Sequence, residues 1–229
     1  MLIFVDDFSR YCFISLLTDE KEVHSRLALY VNLVEKKFQR KPTAFEMGNG
    51  TKPFPRDSEA YLEEQGILHG TAARQQNGTC AREMSSLLEM AAAMLVDAEL
   101  PGRFWPDAIM TAAFLLNRLP VDGTSEVPYE LWNGRAPVMD DLRVFGSLAY
   151  AYIPKTERHP LDPKREETVF LGYAARFKCY KVMNLATGEF CTRTVDYFDE
   201  ERKAEKSGTV LETSEEEDFE PMSLLADRF

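Results

Sequence analysis

The stretch Gln75–Arg82, which reads QQNGTCAR, marks the point where a polar turn gives way to a long helix. Asn77-Gly78 is a common turn pair, and asparagine is also a favoured N-cap because its side-chain oxygen accepts a backbone N–H. We therefore predict a helix from about Thr79 to Ala98. Its apolar residues recur mostly at intervals of three or four, as on a helix with one buried face: Leu87, Met90, Met94 and Leu95.

Upstream of this stretch, short strands alternate with helices. Runs rich in β-branched and aromatic residues predict four strands, at Leu2–Val5, Tyr11–Leu17, Pro42–Met47 and Ile67–His69. Two helices are predicted between them, one that ends at about Phe38 and one at Ser58–Gln65. Asp19 and Glu22 have the spacing of a capping box at the start of the first helix. The N-terminal part of the chain therefore has the pattern of an α/β domain.

Downstream, the pattern changes from helical to all-β. A helix is predicted at Arg103–Leu119, with Trp105 and Ile109 expected to face a core, followed by a short helical turn at Tyr129–Trp132. Four strands then follow, at Val144–Ile153, Thr168–Tyr173, Cys179–Asn184 and Glu189–Phe198. The last two are joined by a tight turn at Ala186–Gly188. A unit of about 60 residues with this pattern predicts an SH3-like barrel.

The composition is that of a soluble globular protein, with 45% hydrophobic and 28% charged residues. No apolar run is long enough to span a bilayer, and Met1–Val5 lacks the basic flank of a signal peptide. The four cysteines form no C-x-x-C pair, so we expect reduced thiols in an intracellular protein and no zinc site.

The formal net charge of −11 argues against strong affinity for DNA, because DNA-binding surfaces usually carry a basic excess. The segment after Glu200 is acidic and poor in core-forming residues, and we expect it to be disordered. A basic cluster does remain, at Lys36, Lys37, Arg40 and Lys41, but its position favours a solvated helix end.

Several sequence blocks, in order along the chain, resemble the integrases of copia-type retrotransposon Pol polyproteins. Phe4–Tyr11 resembles the hairpin F-[IV]-D-D-[FY]-S-R-Y, and Gln75–Arg82 resembles the segment Q-Q-N-G-x-x-E-R with alanine in place of its glutamate. Further blocks match in the same order: Asn49-Gly50, Gly66–His69, Leu119-Pro120, Pro128–Trp132, Leu142–Gly146, Leu161–Lys164 and Phe170–Tyr173. So many blocks in register make a specific signal, although ancestry does not fix present activity.

The resemblance implies an N-terminally truncated ribonuclease-H-like α/β core, a helical extension and a small all-β SH3-like barrel. On that basis residues 1–100 are assigned to the partial catalytic core and residues 101–140 to the helical extension or linker. Residues 141–200 form the predicted barrel, and residues 201–229 the acidic tail. The family's reaction joins a DNA 3′-hydroxyl to a phosphodiester of target DNA with two Mg²⁺ ions, which three carboxylates hold.

None of the three carboxylate positions that the resemblance implies carries an acid in this sequence. The first belongs to a strand upstream of the Phe4–Tyr11 hairpin, and we expect it to be absent from this chain. The second corresponds to Gly48 and the third to Ala81, neither of which has a side-chain oxygen. The interval between these two positions is also three residues shorter than in the family.

Other acids could substitute only with difficulty. The hairpin's own acidic pair, Asp6-Asp7, is expected to shape a turn. Glu46 points to the same strand face as Gly48 but lies roughly 6.5 Å away along the strand. Glu83 is turned by roughly 200° from Ala81 around the helix. We therefore predict no catalytic residue, no metal ligand and no cofactor, although the family uses Mg²⁺.

The candidate nucleic-acid contacts are Gln75, Gln76, Asn77 and Arg82. In the family this region approaches DNA, and Arg82 could contact a phosphate. The alternative, which the sequence leaves equally open, is a helix N-terminus capped by Asn77. In the barrel, a second set of basic residues could touch a nucleic-acid backbone, although a charged and solvated barrel edge is the simpler interpretation: Arg176, Lys178 and Lys181.

Three functional hypotheses follow. The leading one is a degenerate integrase, derived from an enzyme of DNA integration but catalytically inactive. The second is a non-enzymatic module that binds DNA or protein, with Glu212–Phe229 as a candidate partner-binding peptide. The third, an active nuclease, would need Glu46, Glu83 and an acid of the hairpin to converge. The expected partners are DNA, bound weakly, or a protein or second copy of the chain, and no membrane. The protein would act in the nucleus if it keeps the family role.

Overall fold

The computed structural model describes residues 1–47, 55–71, 78–121, 123–174 and 179–203. The chain packs as two compact units. The first comprises Met1–Val5 and Cys12–Ser86, and the second comprises Asp6–Tyr11 and the chain from Leu87 onward. The boundary falls inside the long helix that the sequence predicts.

The first unit contains short strands and three helical segments. They are β1 (Leu2–Val5), β2 (Cys12–Ser15), α1 (Glu22–Phe38), β3 (Ala44–Met47), α2 (Arg56–Glu64), β4 (Leu68–Thr71) and the start of α3 (Gly78–Asp97). Within the described residues, the strands form two separate pairs. β1 and β2 are antiparallel, and β3 and β4 are parallel, as expected of two strands joined through a helix.

An aromatic cluster on α1 holds the two strand pairs in one core. Tyr30 stacks on Phe4 of β1 with ring centres 4.4 Å apart and packs edge-on against Phe13 of β2. The same ring lies 5.9 Å from that of Phe45 on β3. Tyr30 belongs to the buried stripe of α1, which recurs at helical spacing and also contains Leu27, Val31 and Val34.

The second unit continues α3 and adds helices and an antiparallel sheet. A 3₁₀ turn (Gly102–Phe104) leads into α4 (Trp105–Leu116), and α5 (Pro128–Asn133) follows. The sheet strands are β5 (Ser147–Tyr152), β6 (Arg165–Tyr173), β7 (Tyr180–Asn184), β8 (Phe190–Arg193) and β9 (Val195–Lys203). Their spatial order is β8-β7-β6-β5-β9, and all pairs are antiparallel. A five-stranded antiparallel sheet of short strands agrees with the predicted small SH3-like unit.

Aromatic side chains from helix and sheet form the core of this unit. Phe114 of α4 stacks on Tyr173 of β6 with ring centres 3.7 Å apart. Phe170, Tyr180 and Phe198 pack edge-on around the same cluster. Edge-to-face and stacked pairs each add to the free energy that burial of the rings supplies. Helix α4 is therefore part of the core of the barrel unit.

The turn between β7 and β8 is confirmed as predicted. Asn184 Oδ1 accepts the backbone N–H groups of Ala186 and Thr187, and Gly188 has a φ of 77°. An Asx-type turn followed by a glycine in the left-handed region is a favoured way to reverse a strand.

Several local predictions were wrong. The side chain of Asp19 accepts the N–H of Lys21, and Glu22 contacts the Thr18 hydroxyl, so no capping box forms. Trp105 is 47% exposed, because the preceding 3₁₀ turn buries Phe104 in its place. The predicted strand Glu189–Phe198 is two strands, β8 and β9, separated at Thr194.

The buried face of α3 is narrower than predicted. Among its described residues, Leu87 and Ala91 are buried, whereas Met90, Met94 and Leu95 are only partly covered. No helix in the described part of the chain has the length and apolar content needed to cross a membrane.

Candidate functional site

The strand that precedes the second predicted carboxylate position is β3. Its side chains alternate, with Phe45 and Met47 half-buried and Ala44 and Glu46 exposed. Glu46 lies opposite Gly70 of β4 in the parallel register. Gly48 itself follows directly after β3 and lies outside the described residues. Glu46 is thus a solvent-facing carboxylate on the outer face of a two-stranded sheet.

Helix α3 carries the third predicted carboxylate position. Ala81 is exposed there and offers only a methyl group. Glu83 points elsewhere. Burial of the Cys12 and Cys80 thiols is the larger cause that raises the pKa of each, and the negative charge of Glu83 is the next cause. Its carboxylate therefore faces the packed side of α3, which agrees with the rotation of roughly 200° expected for two helical residues. Glu83 and Ala81 point in different directions.

The two acids of the β1–β2 turn are engaged within that turn. Asp6 Oδ2 accepts the backbone N–H of Ser9 at 2.8 Å and its hydroxyl at 2.7 Å. Asp7 forms an ion pair with Arg10, whose φ of 62° places it in the left-handed region. Both carboxylates stabilise the turn, as expected of aspartate at these positions.

Within the described ranges, the acidic side chains do not converge on one point. In the ranges that the structure describes, no three His, Cys, Asp or Glu side chains come together as a potential metal site. A magnesium ion requires several oxygen ligands that converge in near-octahedral geometry. Glu46, Glu83 and the turn acids instead face solvent, the α3 packing surface and their own loop.

Of the candidate nucleic-acid contacts, Arg82 lies within the described residues, and Gln75, Gln76 and Asn77 lie outside them. Arg82 is exposed on the first turns of α3, and its Nε donates to the carbonyl of Gly78 at 3.1 Å. The bond fixes the base of the side chain against the helix. The guanidinium is therefore presented from the N-terminal end of α3.

The barrel contains an ion pair that sequence reasoning missed. Lys181 Nζ lies 2.5 Å from Asp107 Oδ1, so Lys181 is bound to α4 and does not lie on a solvated barrel edge as expected. Asp107 follows Trp105-Pro106 and has the sequence signature of an acid in the first turn of a helix. Nothing local signals a partner 74 residues away. Arg176 and Lys178 lie outside the described residues.

Comparison with known proteins gives the family. The model of the retroviral polymerase SH3-like domain matches residues 147–211, which include β5 to β9. The Pol polyprotein of transposon RE2 from Arabidopsis thaliana is 31% identical over 204 residues, which cover 87% of this chain. The Pol polyprotein of transposon TNT 1-94 from Nicotiana tabacum is 34% identical over 176 residues, which cover 74% of it. This chain belongs to the integrases of copia-type retrotransposons.

The integrase chain is much shorter than these relatives. It spans 14% of the RE2 polyprotein and 13% of the TNT 1-94 polyprotein. Among solved structures, the HTLV-2 integrase catalytic core domain in complex with magnesium is similar at 19% identity, with a TM-score of 0.44. The match covers 57% of this integrase chain and 82% of the viral domain.

The predicted family and the SH3-like barrel are thus confirmed. The five-stranded antiparallel sheet lies where the SH3-like model matches. The role of the acidic tail as a partner-binding peptide stays a prediction, because that segment lies outside the described residues.

Proposed function

We propose that this chain is a degenerate copia-type integrase that has lost strand-transfer chemistry. The observation that carries the proposal is Ala81, which stands on the exposed side of α3 at the position of the family's glutamate. Gly48 stands at the position of the preceding aspartate. Two-metal phosphoryl transfer needs carboxylate oxygens at these points, because Mg²⁺ binds hard oxygen ligands and glycine and alanine have none to give.

A rearranged set of acids does not offer a substitute. Glu46 is exposed on β3, but Glu83 contributes its charge to the surroundings of Cys12 and Cys80 on the packed side of α3. Asp6 already accepts two hydrogen bonds from Ser9.

The experiment is a strand-transfer assay with the purified 229-residue chain and a labelled DNA duplex, run in Mg²⁺ and in Mn²⁺. We expect no joined product above a reaction without protein. A metal-dependent product that disappears in Glu46→Gln would overturn the proposal, because it would place Glu46 in an active metal site. The Arg135→Ala variant, which changes an exposed residue of the other unit, serves as the matched control.

The finer fold assignment belongs to the same proposal. An antiparallel hairpin, a crossover helix and a parallel strand pair occur in the first unit in that order, and this order supports a partial ribonuclease-H-like core. We assign α4 and α5 to the helical extension, which belongs to the same compact unit as the sheet. A crystal structure in which β1 did not pair with β2, or β3 did not pair with β4, would contradict this assignment.

DNA binding without catalysis is the second candidate function, and Arg82 is the observation that favours it. Its guanidinium is exposed and held at the start of α3. Binding is expected to be weak and to depend only modestly on salt, because the chain carries a formal charge of −11 and few phosphates can be neutralised.

Fluorescence anisotropy with a duplex oligonucleotide at low ionic strength tests this function. Arg82→Ala should lower the affinity for all sequences alike and reduce the salt slope by about 1, as expected for one lost phosphate contact. Arg135→Ala should leave both quantities unchanged. Equal effects of the two substitutions would mean that Arg82 has no specific part in binding.

A further inference from the structure

Three side chains form one row across the antiparallel sheet of the second unit. Tyr150 of β5 lies opposite Glu167 of β6, and the same tyrosine lies opposite Tyr197 of β9. Residues that lie directly opposite one another in antiparallel strands project from the same face of the sheet. We call Glu167, Tyr150 and Tyr197 the tyrosine row.

The tyrosine row projects from the face opposite the aromatic core. Ala151, the residue after Tyr150, belongs to the buried cluster that contains Phe170. Because successive residues of a strand point to opposite faces, Tyr150 points away from that cluster. Tyr197 is 58% exposed and Glu167 is also exposed, so two of the three members of the row are in contact with solvent.

Two contacts fix the geometry of the row. The Tyr150 hydroxyl donates to Glu167 Oε1 at 3.3 Å. The ring centres of Tyr150 and Tyr197 lie 6.1 Å apart, and the ring planes are tilted by 32°. The face of an aromatic ring carries negative partial charge. The row thus combines two neighbouring π surfaces with a carboxylate that a hydrogen bond holds beside them.

The charges beside the row favour a cationic ligand. Asp199 follows Tyr197 by two residues, which places it on the same face, roughly 6.6 Å farther along β9. Arg165 precedes Glu167 by two residues, but its guanidinium is paired with Asp196 at 2.8 Å. The carboxylates of Glu167 and Asp199 therefore attract a positive charge to the rings.

A neighbouring tyrosine already carries an arginine from the chain itself. Tyr152 lies two residues after Tyr150 on β5 and hence on the same face. The guanidinium carbon of Arg158 lies 5.8 Å from the centre of the Tyr152 ring, and Arg158 Nη2 donates to the Tyr152 hydroxyl at 3.5 Å. This face of the sheet therefore accommodates a guanidinium over a tyrosine ring within the distance of cation–π attraction.

We propose that the tyrosine row binds an arginine side chain of a partner protein. The guanidinium would lie over the rings of Tyr150 and Tyr197 and donate hydrogen bonds to the Glu167 carboxylate. Arginine fits better than lysine, because a planar guanidinium stacks on aromatic rings and presents several donors in a fixed fork. This interaction is separate from the loss of strand transfer. It uses residues of the second unit, whereas Arg82 lies in the first.

A nucleic acid is a poorer occupant of the same surface. Bases of single strands stack on tyrosine rings, but such sites combine the rings with a positively charged groove for the backbone. Here the rings lie beside Glu167 and Asp199, which repel phosphates. Charge complementarity therefore selects a basic protein segment.

The first test is a titration of the full chain with the peptide Ac-GSGRGSG-NH2, followed through the backbone amide signals of the protein in NMR spectra. Glycine and serine keep the peptide flexible and leave arginine as its one charged residue. The control peptide carries citrulline, which has the shape of arginine without its charge. We expect saturable shifts at the three residues of the row with the arginine peptide. The citrulline peptide should bind about tenfold more weakly, because the charge contributes to both the ring contact and the carboxylate contact.

Equal binding of the two peptides, or no shift at the row, would overturn the proposal. Binding to the arginine peptide is a property of the intact chain, so this comparison requires no substitution in the protein.

Substitution of Glu167 separates this contact from a general attraction of the acidic chain for cations. Glu167→Gln removes one negative charge and keeps an oxygen that accepts the Tyr150 hydroxyl. Glu130→Gln changes an exposed glutamate of α5 in the same unit and removes the same charge elsewhere. We expect Glu167→Gln to weaken binding of the arginine peptide by about threefold and to leave binding of the citrulline peptide unchanged. Glu130→Gln should affect neither peptide, and equal effects of the two substitutions would overturn the proposal in favour of net charge alone.

Substitution of Tyr197 tests the ring. Tyr197→Ala should weaken binding of the arginine peptide about fivefold, whereas Tyr197→Phe keeps the ring and should bind within about twofold of the unsubstituted chain. Circular dichroism shows whether both variants fold, and if Tyr197→Ala does not, the Glu167→Gln variant and the citrulline peptide decide. A thymidine octanucleotide is titrated in parallel. If it shifted the signals of the row and lost its binding in Tyr197→Ala, the row would be a platform for bases, and the proposal would be overturned.

Discussion

Asp107 of α4 and Lys181 of β7 form an ion pair inside the barrel unit, with Oδ1 and Nζ 2.5 Å apart and side chains only 8% and 13% exposed. The Lys181 ammonium also lies 5.4 Å from the ring centre of Phe190. The pair joins the helix to the sheet next to the contact between Thr111 and the carbonyl of Leu171. Two desolvated charges in such a position depend on one another.

Removing one partner of this pair should destabilise the barrel unit strongly. Lys181→Met leaves the Asp107 carboxylate buried without a countercharge, and we expect a loss of about 3–5 kcal/mol in the free energy of unfolding. The double variant Asp107→Leu with Lys181→Met should recover most of that loss, because it buries no charge. Urea denaturation followed by circular dichroism measures both. If the single and double variants were equally stable, the unpaired Asp107 carboxylate would not be the cause of the loss in stability.

The pair also predicts a dependence of stability on pH. Burial raises the pKa of Asp107 above its ordinary value of 3.8, although the Lys181 ammonium acts in the opposite direction. The folded protein therefore holds this proton to higher pH than the unfolded chain does. Its contribution to stability is lost as pH rises from 3.8 through the raised pKa and regained on acidification.

Urea unfolding of the wild type and of Asp107→Asn across this range tests the sign. The wild type should gain stability relative to Asp107→Asn as the pH falls toward 3.8. An unchanged urea dependence in the two proteins confirms that the same surface unfolds. If the wild type instead lost stability relative to Asp107→Asn on acidification, the ammonium, and not burial, would dominate the pKa of Asp107.

Gly146 is predicted to be irreplaceable for a steric reason. Its φ is 80°, and a Cβ atom there would lie 2.3 Å from the Cβ of Ala98. Gly134 has a similar φ of 68° but open space around it, so it isolates the backbone contribution. We expect Gly134→Ala to cost about 1 kcal/mol and Gly146→Ala about 2–4 kcal/mol, measured by urea unfolding. Similar costs at both sites would show that the contact with Ala98 adds nothing to the cost at Gly146.

Most elements could be predicted from the sequence because their signals are local. β1 was placed at its observed residues, and helices α1 and α3 end within one residue of the prediction, because the apolar pattern stops there. The errors arise at positions where a tertiary contact, and not the local sequence, decides which residue is buried or where a strand ends. Trp105 has the spacing of a core residue, yet the 3₁₀ turn before it buries Phe104. The break at Thr194 follows from its carbonyl, which accepts the N–H of Tyr152.

The candidate site was predicted unevenly for the same reason. The absence of acids at Gly48 and Ala81 is a property of the sequence once the motif is aligned. The direction of Glu83 follows from helical geometry and agrees with its effect on Cys12 and Cys80.

The thiol of Cys12 should be unreactive in the folded protein. Burial, together with the charge of Glu83, raises the pKa of this thiol far above the usual range, and only the thiolate is a nucleophile. We expect an aromatic disulfide reagent near neutral pH to leave Cys12 unmodified until urea unfolds the first unit, with peptide mapping by mass spectrometry as the readout. Cys179, which is only half-buried, provides the internal comparison. Modification of Cys12 at its unfolded rate would mean that β2 is not packed as described.

Restoring a single acid on α3 should not restore metal binding. Ala81 is exposed, so Ala81→Glu should change the free energy of unfolding by less than about 0.5 kcal/mol. The same substitution at Ala92, another exposed position of α3, is the matched control. A ligand that binds the folded state raises the melting temperature, and a lone carboxylate does not complete a magnesium site.

We therefore expect millimolar Mg²⁺ to leave the melting temperatures of Ala81→Glu and Ala92→Glu equally unchanged. A rise confined to Ala81→Glu would show that another carboxylate lies within reach of position 81. Glu46→Gln in the Ala81→Glu background would then identify it, because Glu46 is the exposed acid on β3. That result would mean that the metal site was lost through Ala81 itself and not through the arrangement of β3 and α3.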